Sequence, residues 1–222
     1  IMVPLEEGVI KEGLIIKQDE LVKKLKEVKE KIDSPFVCFT IPDEVTYIFT
    51  ATVPVIEGKD ATESVAFSIE ENVPISLSDA IFDFVPVSVK QNENGHEGIF
   101  VVTACVKNEV EKIVSSLEAS GFVPVCGVHE SQAVANAVVP KNSDGFSCVV
   151  HVRDNRVGMY LVNKNIVTFA TIRILSPLDY EKQIKDEYEK FQEYYNKYGD
   201  SNGLTIKNIF VCGEFEYAKR AV

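Results

Sequence analysis

Cys126 and His129 stand three residues apart, a spacing at which a thiolate could meet a base or two ligands could share a metal ion. No second Cys/His pair accompanies them, and they fall at the predicted end of a strand. A core thiol beside a loop histidine is therefore the preferred reading. Glu70 and Glu71 are adjacent on a predicted helix, where neighbouring side chains point in different directions, so they do not make a general acid/base dyad. His96 lies in QNENGHEG (91–98), a polar, glycine-bearing stretch that reads as a mobile hairpin loop carrying a solvent-exposed histidine. Asp154 belongs to ArgAspAsnArg, a turn between two predicted strands, and turn chemistry accounts for it. The chain contains no G-x-S-x-G, no P-loop and no G-x-G-x-x-G. No reaction and no metal-ligand set is legible in residue spacing alone.

The chain that must position these residues has 222 residues, enough for one large domain or two small ones with developed cores. Its composition is that of an ordinary globular protein. A formal charge of −11 argues against nucleic acid as a partner, because the counterion-release term needs basic surface. No apolar run is long enough to span a bilayer, and no signal-like segment precedes the first predicted strand. The five cysteines, at 38, 105, 126, 148 and 212, each sit singly inside a β-like run and read as reduced core thiols of a cytoplasmic protein. The abrupt start at Ile1 and stop at Val222 suggest a fragment of a longer chain.

Residues 63–139 read as helix, strand, strand, helix, strand, helix, with the rest of the chain organised around them. Val65, Ile69 and Val73 recur on one helical face, and Pro74 stops that helix. In the strand Ala80–Val89, Ile81, Val85, Val87 and Val89 share one side and Phe82 and Phe84 the other, so both faces are apolar. Ile99–Val106 is a second strand, and residues 109–120 an amphipathic helix with Asn108 and Glu111 as a capping box and Gly121 as its C-terminal cap. A strand at 122–128 and a helix from Glu130 complete the unit. Before it, Asp19 can cap a helix to about Ile32, and Phe36–Ile41 with Glu44–Val53 read as a strand pair around Pro42–Asp43. After it, the polar cluster 140–145 leads into three strands, Phe146–Val152, Val157–Val162 and Ile166–Leu175, read as an antiparallel meander. A long helix follows, with Ile184, Tyr188, Phe191, Tyr195 and Tyr198 along one side, read as a core face in preference to a peptide-binding stripe. Ile206–Cys212 is a last buried strand.

This order resembles the PilM-type proteins of type IV pilus assembly, in the actin-like ATPase superfamily with the cell-division protein FtsA. The resemblance is carried by LEEGVIKEGLI (5–15), ESVAFSIEENVPISLSDAIFDFVPV (63–87) and VVTACVKNEVEKIVSSLEASGFVPVCGVHESQAVANAV (101–138). SCVVHVRDNRVGMYLVNKNIVTFATIRI (147–174) and IKNIFVCGEF (206–215) extend it over nearly the whole chain. It implies a mixed α/β fold of actin-like, ribonuclease-H-like subdomains. Residues 1–62 would be part of the first, 63–128 an inserted interaction subdomain, 129–145 a helix and linker, and 146–222 a reduced second subdomain. The family's fourth subdomain would have no room, since Leu175 passes almost directly to the long helix.

Family members bind the cytoplasmic N-terminal tail of an inner-membrane partner, PilN. The resemblance thus implies a cytoplasmic adaptor held at the inner membrane through that partner, in contact with other platform proteins and compatible with a homo-oligomer. The tail would lie between the first subdomain and the inserted one, with Pro74, Ile75, Leu77, Phe82 and Phe84 as candidate contacts. Phe82 and Phe84 read either as groove or as a second buried strand face. Family ATP binding would need an acidic phosphate loop where this chain has HVRDNRVG (151–158), with His151 replacing the acid, Arg153 the glycine and Asp154 displaced. At the adenosine turn only Gly213 remains, followed by Glu214, whose carboxylate would repel a phosphate. The expectation is no cofactor and no catalysis, with Gly213→Ala nearly silent. The alternatives are an actin-like ATP- and magnesium-binding protein whose first phosphate hairpin lies outside this chain, or a type II secretion or cell-division adaptor of the same fold.

Overall fold

The computed structural model describes residues 2–55, 61–92, 95–153, 156–176, 180–198 and 206–214. The chain forms two compact units, Ile1–Glu130 and Ser131–Val222. Among the described residues no helix is long and apolar enough to cross a membrane.

The first unit opens with a minimal hairpin, β1 (Ile10–Lys11) and β2 (Leu14–Ile15), and then α1 (Gln18–Lys29). Leu21, Val22, Leu25 and Val28 are half-buried, as their stripe requires. Asp19 does not cap this helix. The cap position is Lys17, without a side-chain bond, and Asp19 with Glu20 lies in the first turn, where carboxylates favour the exposed N–H groups. The expected hairpin of residues 36–41 and 44–53 does not form either. After β3 (Phe36–Ile41), Pro42 and a 3₁₀ turn at Asp43–Val45 bury Val45 with Ile41, Cys105 and Val110 and send β4 (Thr46–Val55) into another sheet.

In α2 (Thr62–Asn72) the predicted face holds, since Val65, Ile69 and the following Val73 are buried against Ala51, Val53, Phe100 and Val102. Val73 is already extended, and Pro74 bars another helical turn. Next come β5 (Ala80–Asn92) and β6 (Gly95–Val106), and the sheet order is β4-β6-β5, antiparallel throughout. The hairpin arms outrun the predicted loop at 91–98. His96 is a strand residue opposite Val55 and Gln91, because polar side chains on an open arm keep pairing without a core to fill.

Next, α3 (Lys107–Ala119) buries Val110 and Leu117 with Ile113 and Val114 half-buried. It begins two residues before the expected capping box. Its cap position is Val106, with no side-chain bond, and Asn108 bonds Glu109 instead. Its end is as predicted. Gly121 has φ +84°, its N–H donates to the Glu118 carbonyl and that of Phe122 to Leu117, which closes both orphan carbonyls. The chain then enters β7 (Val123–His129), which pairs in parallel with β3, and α4 (Glu130–Val138) follows.

The second unit is a four-stranded sheet of β8 (Phe146–Arg153), β9 (Arg156–Asn163), β10 (Ile166–Ile174) and β11 (Ile206–Gly213), in the order β10-β9-β8-β11. The first three form the antiparallel meander read from the sequence, and β11 lies parallel to β8. α5 (Tyr180–Tyr198) buries Ile184 and Phe191 against Cys148, Val150 and Met159, with Tyr188 half-buried. The aromatic stripe is therefore a core face as far as Phe191. The side chains of Tyr195 and Tyr198 lie outside the described residues. The cysteines divide: Cys105 and Cys148 are buried, Cys212 is half-buried, and Cys38 and Cys126 are exposed, so the core-thiol reading fails for these last two.

Candidate functional site

The C-terminal end of α2, the turn after it and the start of β5 bring four of the five candidate contacts into one apolar rim. Ile75, Leu77, Phe82 and Phe84 are all half-buried and pack on the Val65–Ile69 core, while Pro74 is exposed. The turn is held by polar bonds. The Glu70 carboxylate accepts the Leu77 N–H at 2.9 Å, and the Ser76 hydroxyl oxygen accepts the Asp79 N–H at 3.3 Å. Phe84 meets Phe100 edge to face with centroids 5.4 Å apart, a geometry that favours the aromatic pair. Phe82 and Phe84 thus point inward, half-covered, at the margin of the sheet.

The opposite face of β5 is open. Ile81 is 41 % exposed and Val85 43 %, an exposure no periodicity reveals, but a bulge between Pro86 and Ser88 turns Val89 to the face of Phe82 and Phe84, so it does not share their side as its spacing predicts. Among the described residues β5 pairs only with β6, so its outer edge offers backbone groups for strand addition. One of them is guarded, because the Phe84 N–H donates to Asp83 Oδ1 at 2.8 Å. Phe67, 76 % exposed on α2, was also outside the candidate set.

In the second unit the remaining candidates meet where β8 and β11 end. His151 stands opposite Gly158 on β9 and Cys212 on β11, and Val152 stands opposite Gly213. The His151 imidazole Nδ1 lies 3.2 Å from the Tyr160 hydroxyl, and burial, reinforced by the Arg153 charge, pushes its pKa down to about 4. It is neutral at physiological pH. Asp154 lies outside the described residues. Gly213 has φ +121°, and a Cβ there would sit 1.9 Å from the Val152 carbonyl oxygen. The Glu214 N–H donates to that same carbonyl at 3.0 Å, and the Glu214 side chain is exposed.

The backbone N–H after the glycine is engaged in the sheet, the nearby imidazole carries no charge, and a carboxylate follows. Gly213 is nevertheless not silent, as the sequence reading had it. Its conformation and its contact with Val152 exclude any side chain whether or not a nucleotide binds.

Cys126 and His129 lie in different settings. Cys126 is exposed and its Sγ approaches the Gly127 carbonyl at 3.8 Å, whereas burial at the end of β7 pushes the pKa of His129 down to about 4. Among the described residues no group of three or more His, Cys, Asp and Glu side chains is placed to hold a metal ion.

No protein-family model and no curated protein sequence matches the chain. Among the solved structures similar in fold are the following two. One is PilM in the PilM-PilN type IV pilus biogenesis complex, with a TM-score of 0.65 and 18 % identity over 88 % of this chain and 62 % of that one. The other is the cytoplasmic domain of EpsL, an inner-membrane component of the type II secretion system of Vibrio cholerae, with a TM-score of 0.55 and 9 % identity over 87 % of this chain and 70 % of that one. The fold is mixed α/β and actin-like. This chain spans less than two thirds of the length of the PilM chain.

Proposed function

We propose that this chain is a non-enzymatic adaptor of type IV pilus assembly that binds the cytoplasmic N-terminal tail of an inner-membrane partner. The observation that carries the reading is the free edge of β5 beside the rim of Ile75, Leu77, Phe82 and Phe84, in a fold similar to that of PilM in its complex with PilN. An extended tail adds to the edge through backbone bonds and places alternate side chains over the rim on one face and over Ile81 and Val85 on the other. Asp83 must release the Phe84 N–H for this to happen, which favours a tail carrying a basic residue to meet the freed carboxylate. The adaptor holds no nucleotide and sits in the cytoplasm, peripheral to the inner membrane through its partner.

A type II secretion adaptor is the second reading, favoured by the likeness to EpsL. Calorimetric titration of the full-length protein with a PilN-like N-terminal peptide, then with the corresponding segment of a type II partner, separates the two. Saturable binding of the first peptide alone is the expected result. No heat of binding is the expected outcome of the same titration with ATP and magnesium, and a clear magnesium-dependent isotherm would return the chain to the ATP-binding class.

A further inference from the structure

The two exposed thiols are brought together by an irregularity in the β3–β7 sheet. The ladder pairs Phe36 with Val123 and Val37 with Pro124, and then shifts so that Cys38 stands opposite Cys126. Had the register run on, Cys38 would have faced Val125. The extra residue, Val125, is a bulge that moves the second cysteine into place. Partners on neighbouring strands lie about 5 Å apart, inside the window of about 4.4–6.8 Å between Cα atoms that a disulfide spans. The side chains share the open face, because Phe36, Cys38 and Thr40 are exposed while Val37, Phe39 and Ile41 turn toward the interior. Both thiols are free, and among the described residues the Cys126 sulfur has only its weak approach to the Gly127 carbonyl to hold it.

The other three cysteines are poor competitors. Burial pushes the Cys148 thiol up to about 12 and raises those of Cys105 and Cys212, so each is held as the unreactive thiol.

We propose that Cys38 and Cys126 are a reversible dithiol–disulfide couple, an intrachain modification site oxidised by a small disulfide such as oxidised glutathione. One thiolate attacks the glutathione disulfide, forming a mixed disulfide and releasing one glutathione thiolate that takes up the proton. The second cysteine, deprotonated in turn, attacks the protein-bound sulfur, closing the Cys38–Cys126 bond and releasing the second glutathione. Two electrons pass to the oxidant and two reduced glutathiones leave. The product cross-links β3 to β7 across the sheet.

The test is incubation of the full chain with oxidised glutathione, acid quench, and non-reducing peptide mass mapping, with circular dichroism to verify that the fold persists. The expected result is a linked pair of peptides containing Cys38 and Cys126, with the loss of two hydrogens, reversed by dithiothreitol. Because closure is intramolecular, glutathione on Cys126 in the unaltered chain should stay below about a tenth of that in Cys38→Ser, where no second thiol resolves it. Stable glutathione on both cysteines of the unaltered chain, a disulfide joining two chains, or no reaction at either thiol would each overturn the couple.

Discussion

Gly213 illustrates how one residue can serve a strand end without serving a ligand. Its φ of +121° and the 1.9 Å that would separate a Cβ from the Val152 oxygen leave no low-energy place for alanine, and the Glu214 N–H holds the same carbonyl. Gly213→Ala should therefore destabilise the second unit by roughly 1–3 kcal/mol, the usual cost of a strained backbone position, measured by urea unfolding. Glu214→Gln, an exposed change, should leave unfolding within about 0.5 kcal/mol of the parent. Equal midpoints for the two variants would refute this account. Glu70 is similar in kind. Its spacing beside Glu71 invites thoughts of acid chemistry, but its carboxylate accepts the Leu77 N–H and shapes the turn that carries the rim.

At the scale of the element, β5 has two apolar faces that are covered unequally. α2 packs over the face that contains Phe82 and Phe84, and on the other face Ile81 and Val85 stay 41 % and 43 % exposed. This separates two substitutions that look alike in sequence. Phe84→Asp places a carboxylate against Phe100 and the α2 core and should cost about 2–4 kcal/mol, so loss of binding in that variant says nothing about a groove. Val85→Asp, on the open face, should cost less than about 1 kcal/mol and still weaken the tail peptide at least tenfold by calorimetry. A Val85→Asp protein that folds and binds the peptide as tightly as the parent would remove β5 from the site.

On the scale of the whole molecule, the two units each hold a histidine that folding keeps neutral, His129 at the end of the first and His151 within the second. Both pKa values are lowered to about 4 in the fold, whereas the unfolded chain protonates near the ordinary value of about 6.5. Below that value the unfolded state binds more protons, so stability is unaffected above it and falls as the pH drops toward 4, by at most about 1.4 kcal/mol per pH unit for each group. Urea unfolding at pH 7.5 and pH 5 should show that loss, and the His129→Gln/His151→Gln double variant should flatten it. The sequence by itself determined the periodic features: the Val65–Ile69–Val73 face stopped by Pro74, the glycine cap at 121, the β8–β10 meander and the Ile184–Phe191 face. Those follow from spacings of two to four residues and from backbone limits that belong to single residues. Only the tertiary structure decided that β3 joins β7 while β4 joins β6, that His96 lies in a strand, that Gly213 closes on Val152, and that a bulge sets Cys38 opposite Cys126. Each of these depends on partners distant in sequence, whose register is set by which side chains the core can accommodate, and no local pattern encodes that choice.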